Sequence, residues 1–265
     1  TFSPAMHNAA FEHLGLNYRY LPFHVTQENL KQAVEAVRAL NLVGVNVTVP
    51  HKVAVMEYLD EIDEIAEICR AVNTIVNHNG ILKGYNTDGG GFIKALKEKI
   101  DIYHTKFLFL GAGGAARGAV TGLCLFKVSD IFVYNRTLEK AQTLVDHIKL
   151  KTLQTKLSVI EKKNIQDISK EVDVIVNCTS LGLHEDDPLP VSSFLIRPEH
   201  LVFDMVYGAE KTGLLHEAEQ RGAETISGLE MLLYQGAQAF ELWTAVEAPV
   251  EVMRQALYEK LGVKD

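Results

Sequence analysis

Cysteine is scarce: the 265 residues include only Cys69, Cys124 and Cys178. The number is odd, the spacing wide and no C-x-x-C pair occurs, so neither a disulfide framework nor a thiolate zinc site is indicated. Three free thiols in a reducing cytoplasm are expected. Histidine occurs ten times, yet no H-E-x-x-H or comparable ligand pair appears, and no metal is expected. Positive charge is also short, with 26 Lys+Arg against 34 Asp+Glu and a net charge of -8. That balance argues against broad nucleic-acid binding, which needs a basic stripe. It leaves room for a locally positive pocket holding a small anion. No long apolar run exists either. The most apolar stretch, Phe107 to Phe126, contains Arg117 and five glycines, and it reads as strand, turn and helix rather than a membrane span. No signal peptide is visible at the start, and no internal repeat or low-complexity tract stands out.

What is present is ordinary globular material, 47% hydrophobic and 23% charged, long enough for one large domain or two small ones. Leu30, Ala33, Val34, Val37 and Leu40 fall at helical spacing within Glu28 to Leu40. Gly44 to Val49 reads as a buried strand stopped by Pro50, and a helix is expected through Val55 and Leu59. Ala71 to Val76 and Ile81 to Lys83 read as strands around the turn Asn79-Gly80. A second unit begins near Thr105. Strands are expected at Lys106 to Leu110, Asp130 to Tyr134, Val172 to Asn177 and Leu201 to Asp204, with a helix at Leu138 to Ile148. This β-α-β succession predicts a Rossmann-like, doubly wound parallel sheet. Leu150 to Asn164 is Lys-rich and weakly patterned. Helices return at Met231 to Trp243 and Val250 to Leu261.

The strand Phe107-Leu108-Phe109-Leu110 runs into Gly111-Ala112-Gly113-Gly114-Ala115-Ala116, a G-x-G-x-x-A pattern. The first Gly permits a tight turn, the second lets backbone approach a pyrophosphate, and a small Ala116 lets the helix pack close to the sheet. The helix N-terminus offers free N–H groups to phosphates. After the next strand an NAD enzyme often carries Asp or Glu for the ribose 2′-hydroxyl. Here Asn135-Arg136-Thr137 stands instead, with Lys140 one turn into the helix. Arg136 suits a 2′-phosphate, which a carboxylate would repel, so NADP is favoured over NAD.

The first ninety residues carry polar groups in apolar surroundings. Asn46 and Thr48 are two apart on an expected strand and share a face, with Lys52 close behind. Ala71-Val72-Asn73-Thr74 and Tyr85-Asn86-Thr87-Asp88-Gly89 repeat the theme. Such groups need partners, and a ligand is one. Helix caps and turn ties are the other reading, and Asn86 and Asp88 fit that as well.

Over nearly its whole length the chain resembles the shikimate dehydrogenase family. The matching segments are Ser3-Pro4 with His7-Asn8, Asn46 to Lys52, Ala71 to Thr74, Asn86 to Gly89, Gly111 to Ala116, Asn135 to Thr137, Thr179-Ser180, Asp204 to Tyr207, Gly228 with Met231, and Gln235 through Trp243-Thr244. The resemblance implies an α/β substrate domain (1–88 and 228–265), an NADP-binding Rossmann-like domain (89–227) and an active-site cleft between them. It implies reversible reduction of 3-dehydroshikimate to shikimate, a step toward chorismate and the aromatic amino acids. Ser3, with Thr1 where the family usually has a second Ser, is similar to the hydroxyls that grip the substrate carboxylate. Asn46, Thr48, Asn73, Asp88 and Gln235 resemble the groups that read ring hydroxyls. Tyr207 is similar to the family tyrosine near carboxylate and nicotinamide. Lys52 and Asp88 match the catalytic pair. Gly111, Ala112, Gly113, Gly114, Ala115, Asn135, Arg136, Thr137, Lys140 and Thr179 are the expected cofactor contacts, with Met205, Gly228 and Met231 lining the nicotinamide. Glu64 occupies a position the family sometimes associates with cofactor.

The sequence also departs from the family. It begins inside the first motif, without the family's first strand; it is either trimmed or short of one strand, and intact mass separates the two. Arg70 stands where Gly is common before Ala71, Ala245 replaces Gly after Trp243-Thr244, and Gly208-Ala209 replaces an Asn-Pro pair. Hinges are expected near Gly89 to Gly91 and near Gly228. A small-molecule substrate is expected, with no nucleic acid or membrane partner and a monomer or homodimer. The rival readings are a quinate/shikimate dehydrogenase using NAD or NADP, an inert dinucleotide-binding module, and a nucleic-acid-linked reductase. The retained Lys52 and Asp88 speak against the inert module, and the net charge against the last.

Overall fold

Helix α1 (Ser3–His13) carries Pro4 in its first turn and buries Met6, His7, Ala10 and Phe11, a helical spacing that the polar His7 and Asn8 obscure in the sequence. The computed structural model describes residues 1–126, 128–150, 155–184, 186–208 and 210–262. Part of the weakly patterned stretch after Leu150, and Ala209, lie outside them. Helix α2 (Leu30–Ala39) buries Leu30, Val34 and Val37, as the spacing predicts. Strand β1 (Gly44–Asn46) is shorter than the expected Gly44 to Val49. Its pairing ends at Asn46 opposite Thr74, with one more backbone bond from Val47 N to Asn73 O at 2.8 Å, before the cis Val49-Pro50 bond. Thr48 therefore lies beyond the paired strand. The helix expected through Leu59 is a 3-10 stretch at Ala54–Tyr58.

Strand β2 (Glu61–Ile62) and helix α3 (Glu64–Cys69), neither expected, follow. Strands β3 (Thr74–His78) and β4 (Ile81–Tyr85) form an antiparallel hairpin with His78 opposite Ile81. Asn79 and Gly80 turn it with φ of 53° and 96°, the positive values a two-residue hairpin loop needs. The sheet order is β1-β3-β4-β2. Leu30, Val34, Val37, Val55, Ala66, Val72, Ile75 and Leu82 form its core cluster. Helix α4 (Asp88–Lys97) starts directly after this sheet.

The second sheet is parallel throughout. Strands β5 (Lys106–Leu110), β6 (Asp130–Tyr134), β7 (Lys156–Val159), β8 (Val174–Asn177), β9 (Leu201–Asp204) and β10 (Glu224–Ser227) take the order β10-β9-β8-β5-β6-β7. Numbered from β5, that is the 3-2-1-4-5-6 order of a doubly wound dinucleotide fold, with its switch point between β5 and β8. The helices are α5 (Gly114–Leu125), α6 (Leu138–Lys149), the short α7 (Ile165–Ile168) and α8 (Gly213–Gln220). Strands β7 and β10 and helix α8 go beyond the sequence expectation. Helix α9 (Gly228–Thr244) then leads to α10 (Val250–Leu261), which packs along α1.

The chain divides into two compact units, Thr1–Gly91 with Leu232–Asp265, and Phe92–Met231. Gly89 to Gly91 lie inside α4 and Gly228 opens α9, so the glycines expected at hinges sit in regular helix. No described helix is long and apolar enough to cross a membrane.

Candidate active site

In the first unit, the start of β3 and the start of α4 assemble a buried polar network. Lys52 Nζ donates to Asp88 Oδ2 at 2.6 Å. Asp88 is 5% exposed, and its other oxygen, Oδ1, accepts from Asn73 Nδ2 at 2.8 Å. Asp88 is the first residue of α4, and its backbone N donates to Asn86 Oδ1 at 3.1 Å. Asn86 in turn donates from Nδ2 to Ala71 O at 2.9 Å. Asn86 therefore ties the turn, whereas Asp88 turns its carboxylate to the lysine.

Asn73 is the hub. Its Nδ2 lies within hydrogen-bond distance of Thr87 Oγ1 (2.9 Å), Asp88 Oδ1 (2.8 Å) and Gln235 Oε1 (3.3 Å). Its Oδ1 accepts from Thr87 N at 2.8 Å and Thr74 Oγ1 at 3.1 Å. Two amide hydrogens facing three acceptors leave the longest contact, Gln235, as the exchangeable one. Asn46 Nδ2 donates to Asn73 O at 3.2 Å and to Thr74 Oγ1 at 3.1 Å. Thr1 Oγ1 and Ser3 Oγ are 3.3 Å apart at the start of α1. The structure thus gathers Lys52, Asp88, Asn73, Gln235 and Asn46 into one network, with Thr1 and Ser3 as a separate pair. Thr48 is exposed; its carbonyl accepts from His51 N at 2.9 Å. Glu64 is exposed in the first turn of α3.

In the second unit, the expected cofactor residues lie at the carboxyl ends of neighbouring parallel strands. Gly111 follows β5 with φ +111°, and a Cβ there would meet the Cys178 carbonyl C and O, each at 2.9 Å. Only glycine fits a left-handed turn pressed against backbone, so the loop lies tight on the end of β8. A Cβ at Gly113 or Gly114 would meet nothing within 4 Å. Gly113 is the N-cap of α5 and gives it no side-chain cap. The first N–H groups of α5 thus have no side-chain cap, and the glycines leave room beside them that suits a pyrophosphate. Ala112 is buried, Ala115 half-buried and Ala116 fully buried. After β6, Asn135 Nδ2 donates to Thr137 O at 2.7 Å, bracing the loop. Arg136, Thr137 and Lys140 are exposed there.

Thr179 is tied into its own turn: its N and Oγ1 both donate to Asn177 Oδ1, at 3.0 and 2.7 Å. Asn177 Nδ2 donates to Asp204 Oδ1 at 2.8 Å, which also accepts from Val206 N at 3.0 Å. Thr212 Oγ1 donates to Asp204 Oδ2 at 2.5 Å. One buried carboxylate thus staples the loops after β8 and β9 to the start of α8. Burial raises the Asp204 pKa, opposed by bonds from Thr212, Val206 and Asn177. Burial first, and Asp204 second, push the Cys178 thiol well up, and its Sγ sits 3.3 Å from Met205 Sδ. Tyr207 and Gly228 follow β9 and β10, and Met231 lies in the first turn of α9. A Cβ at Gly228 would meet the Met205 carbonyl O at 2.5 Å.

Tyr20, whose hydroxyl donates to Asn46 Oδ1 at 2.9 Å, stands in no sequence motif, and neither Asn177 nor Asp204 carried an expected role. An Asn and an Asp closing two apolar parallel strands was the available signal, since buried polar groups there need partners. Among the described residues no group of three His, Cys, Asp or Glu is placed to hold a metal ion.

The parallel sheet, its glycine loop and its strand order define a dinucleotide-binding fold of the Rossmann type. A shikimate dehydrogenase (NADP(+)) from Desulforamulus reducens is 48% identical across 99% of this chain and 92% of that protein. The chain belongs to the shikimate dehydrogenase family. Residues 1–75 match the family model described as shikimate dehydrogenase substrate binding domain, 94–184 that of shikimate / quinate 5-dehydrogenase, and 228–258 that of the shikimate 5'-dehydrogenase C-terminal domain. Among solved structures, a shikimate dehydrogenase in complex with NADP+ matches with TM-score 0.91 and 42% identity, over 98% of this chain and 91% of that one. A shikimate 5-dehydrogenase from Listeria monocytogenes in complex with shikimate and NAD matches with TM-score 0.90 and 40% identity, over 97% and 92%.

Proposed function

We propose that this chain catalyses the reversible, NADP-dependent interconversion of 3-dehydroshikimate and shikimate. The observation that carries the reading is the Lys52–Asp88 pair at 2.6 Å, held in a buried polar network. Oxidation of a secondary alcohol needs a group that takes the hydroxyl proton, and the reverse reaction needs one that gives it back. Lys52 fills both roles: as the neutral amine it takes the hydroxyl proton when the alcohol is oxidised, and as the ammonium it gives a proton to the carbonyl oxygen in the reverse direction, with one N–H spent on Asp88. Asp88 orients Lys52 and accepts from the reacting hydroxyl. Asn73, fixed on Asp88 and Thr87, holds that carboxylate in place, and Gln235 is released to a ring hydroxyl. Asn46 and Thr48 read the remaining hydroxyls. Thr1 and Ser3 grip the carboxylate, with Tyr207 as a further contact.

NADP, when bound, supplies the hydride acceptor or donor. Its pyrophosphate is assigned to Gly111, Ala112, Gly113, Gly114 and Ala115, where the free α5 N–H groups fit an anion. Its 2′-phosphate is assigned to Arg136, Thr137 and Lys140, a cationic and hydroxyl set, with no carboxylate at the strand end itself and Glu139 following in the first turn of α6. Asn135 braces that loop. Thr179, Met205, Gly228 and Met231 line the nicotinamide end. The product is a chorismate precursor, which places the chain in aromatic amino acid biosynthesis.

The test is nicotinamide absorbance during incubation with shikimate or quinate, each with NADP+ and with NAD+. Rapid reduction in the shikimate–NADP+ mixture is expected. Faster turnover of quinate or NAD+ reassigns the substrate or Arg136, and silence in all four mixtures from folded protein removes the enzymatic reading.

A further inference from the structure

Tyr20 lies on the segment after α1, outside every motif that carries the family resemblance. Its backbone is fixed by Asn8: Tyr20 N donates to Asn8 Oδ1 at 2.8 Å, and Asn8 Nδ2 donates to Tyr20 O at 3.0 Å. Its ring stacks on His7, with centroids 4.6 Å apart and planes at 7°. Backbone and ring are therefore both set by α1, whose first residue is Ser3. At the far end of the ring, the Tyr20 hydroxyl donates to Asn46 Oδ1 at 2.9 Å. Burial raises the phenol to about 12, and a hydrogen bond from the Ser3 side chain pulls the other way. The phenol thus remains protonated and a donor across any working pH.

The consequence falls on Asn46. Its Nδ2 faces the Asn73 carbonyl, which only accepts, so the amide cannot be flipped. Both Nδ2 hydrogens are committed, to Asn73 O and Thr74 Oγ1. One Oδ1 lone pair is taken by Tyr20. What Asn46 retains for a ligand is the second Oδ1 lone pair, an acceptor matched to one hydroxyl.

We propose that Tyr20 is a positioning residue for the substrate, its hydroxyl locking Asn46 as a pure acceptor and tying it to the Ser3 end of the site. The proposal rests on the shikimate reading of that site. Through Tyr20, the group that grips the carboxylate and the group that reads a ring hydroxyl are held by one helix. A ring acid must satisfy both together, so the spacing between carboxylate and hydroxyl is part of what the site selects.

Tyr20→Phe removes one oxygen and keeps the stack on His7. The unmodified enzyme is assayed first with shikimate and NADP+; absence of turnover there removes the functional reading before Tyr20 is tested. With turnover established, Tyr20→Phe is expected to raise KM for shikimate roughly three- to tenfold, the range for one lost neutral hydrogen bond. KM for NADP+ should stay constant, and kcat should fall by less than KM rises. In a double-mutant cycle with Asn46→Ala, the second substitution should add little to the first, because both remove the same contact. Equal increases in both KM values, an unchanged KM for shikimate, or full additivity with Asn46→Ala would each overturn the proposal. A merely structural tyrosine moves both KM values together or neither.

Discussion

Lys52 carries the sharpest expectation at the scale of single residues. If it transfers the proton, Lys52→Ala should lower kcat by roughly a hundredfold to ten-thousandfold with little change in KM for shikimate. Steady-state kinetics checks this, and an unchanged kcat would leave the 2.6 Å contact with Asp88 a structural ion pair only. Arg136 is expected to act on one cofactor. Arg136→Ala should weaken NADP+ by about 1.5–3 kcal/mol, the range for a hydrogen bond to a charged group, and leave NAD+ nearly unaffected. A matched loss for NAD+ would remove the 2′-phosphate from its role. Residues such as Lys52, Asp88 and Arg136 could be singled out as candidates because each stands in a local motif whose neighbours point to it. Tyr20 could not: its partner Asn46 is 26 positions away, and only the fold brings them together. The pairing of Asn177 with Asp204 was hidden likewise, the two being 27 apart in sequence on neighbouring strands.

The legibility of the secondary elements followed the physics of each. Strands β5, β6 and β9 were readable to the residue because a parallel strand buried on both faces is a continuous apolar run. Strands β7 and β10, reading Lys-Leu-Ser-Val and Glu-Thr-Ile-Ser, lie at the two edges of that sheet and carry polar residues that dilute the signal. Strand β1 ended early because its antiparallel partner β3 begins at Thr74, opposite Asn46, so the ladder has no further partner residues in that strand. Two departures from the family pattern acquire a meaning at element ends. Arg70 caps α3 and Ala245 follows α9, with φ of 50° and 55°. Both keep a left-handed backbone where the resemblance leads one to expect glycine. That conformation costs a residue with a Cβ about 1–2 kcal/mol, offset in part by the extra unfolded-state freedom of glycine, about 0.4–1 kcal/mol. Ala245→Gly and Arg70→Gly should therefore each stabilise by roughly 0.5–1 kcal/mol. A urea midpoint that rises at constant slope is the expected readout, and a fall at both positions would refute the strain argument.

For the whole molecule the decisive group is His7, fully buried in an aromatic cage of Tyr20, Phe11, Phe240 and Trp243. Neither ring nitrogen has a hydrogen-bond partner among the described residues, and burial lowers its pKa from 6.5 to about 3. The folded chain keeps this imidazole neutral while the unfolded chain protonates it below pH 6.5. Between pH 6.5 and 3 the unfolded state therefore binds more protons, and stability falls as pH falls, by up to about 1.4 kcal/mol per pH unit. His200, also lowered chiefly by burial, acts in the same direction. Asp204, raised by burial, opposes them above its unfolded value of 3.8, because there the folded state holds the proton more tightly. Asp60 and Asp187 have lowered carboxyls and act only below that value. At pH 5 the His7 share is about 2 kcal/mol, a sizeable part of a typical 5–15 kcal/mol total. His7→Phe preserves a ring against Tyr20 and removes the titration. Its urea stability between pH 7 and 5 should accordingly be flatter than that of the unmodified chain, by about 2 kcal/mol over the interval. Parallel pH profiles for the two proteins would mean that His7 takes up its proton in the folded state, and that the cage opens to water well above pH 3.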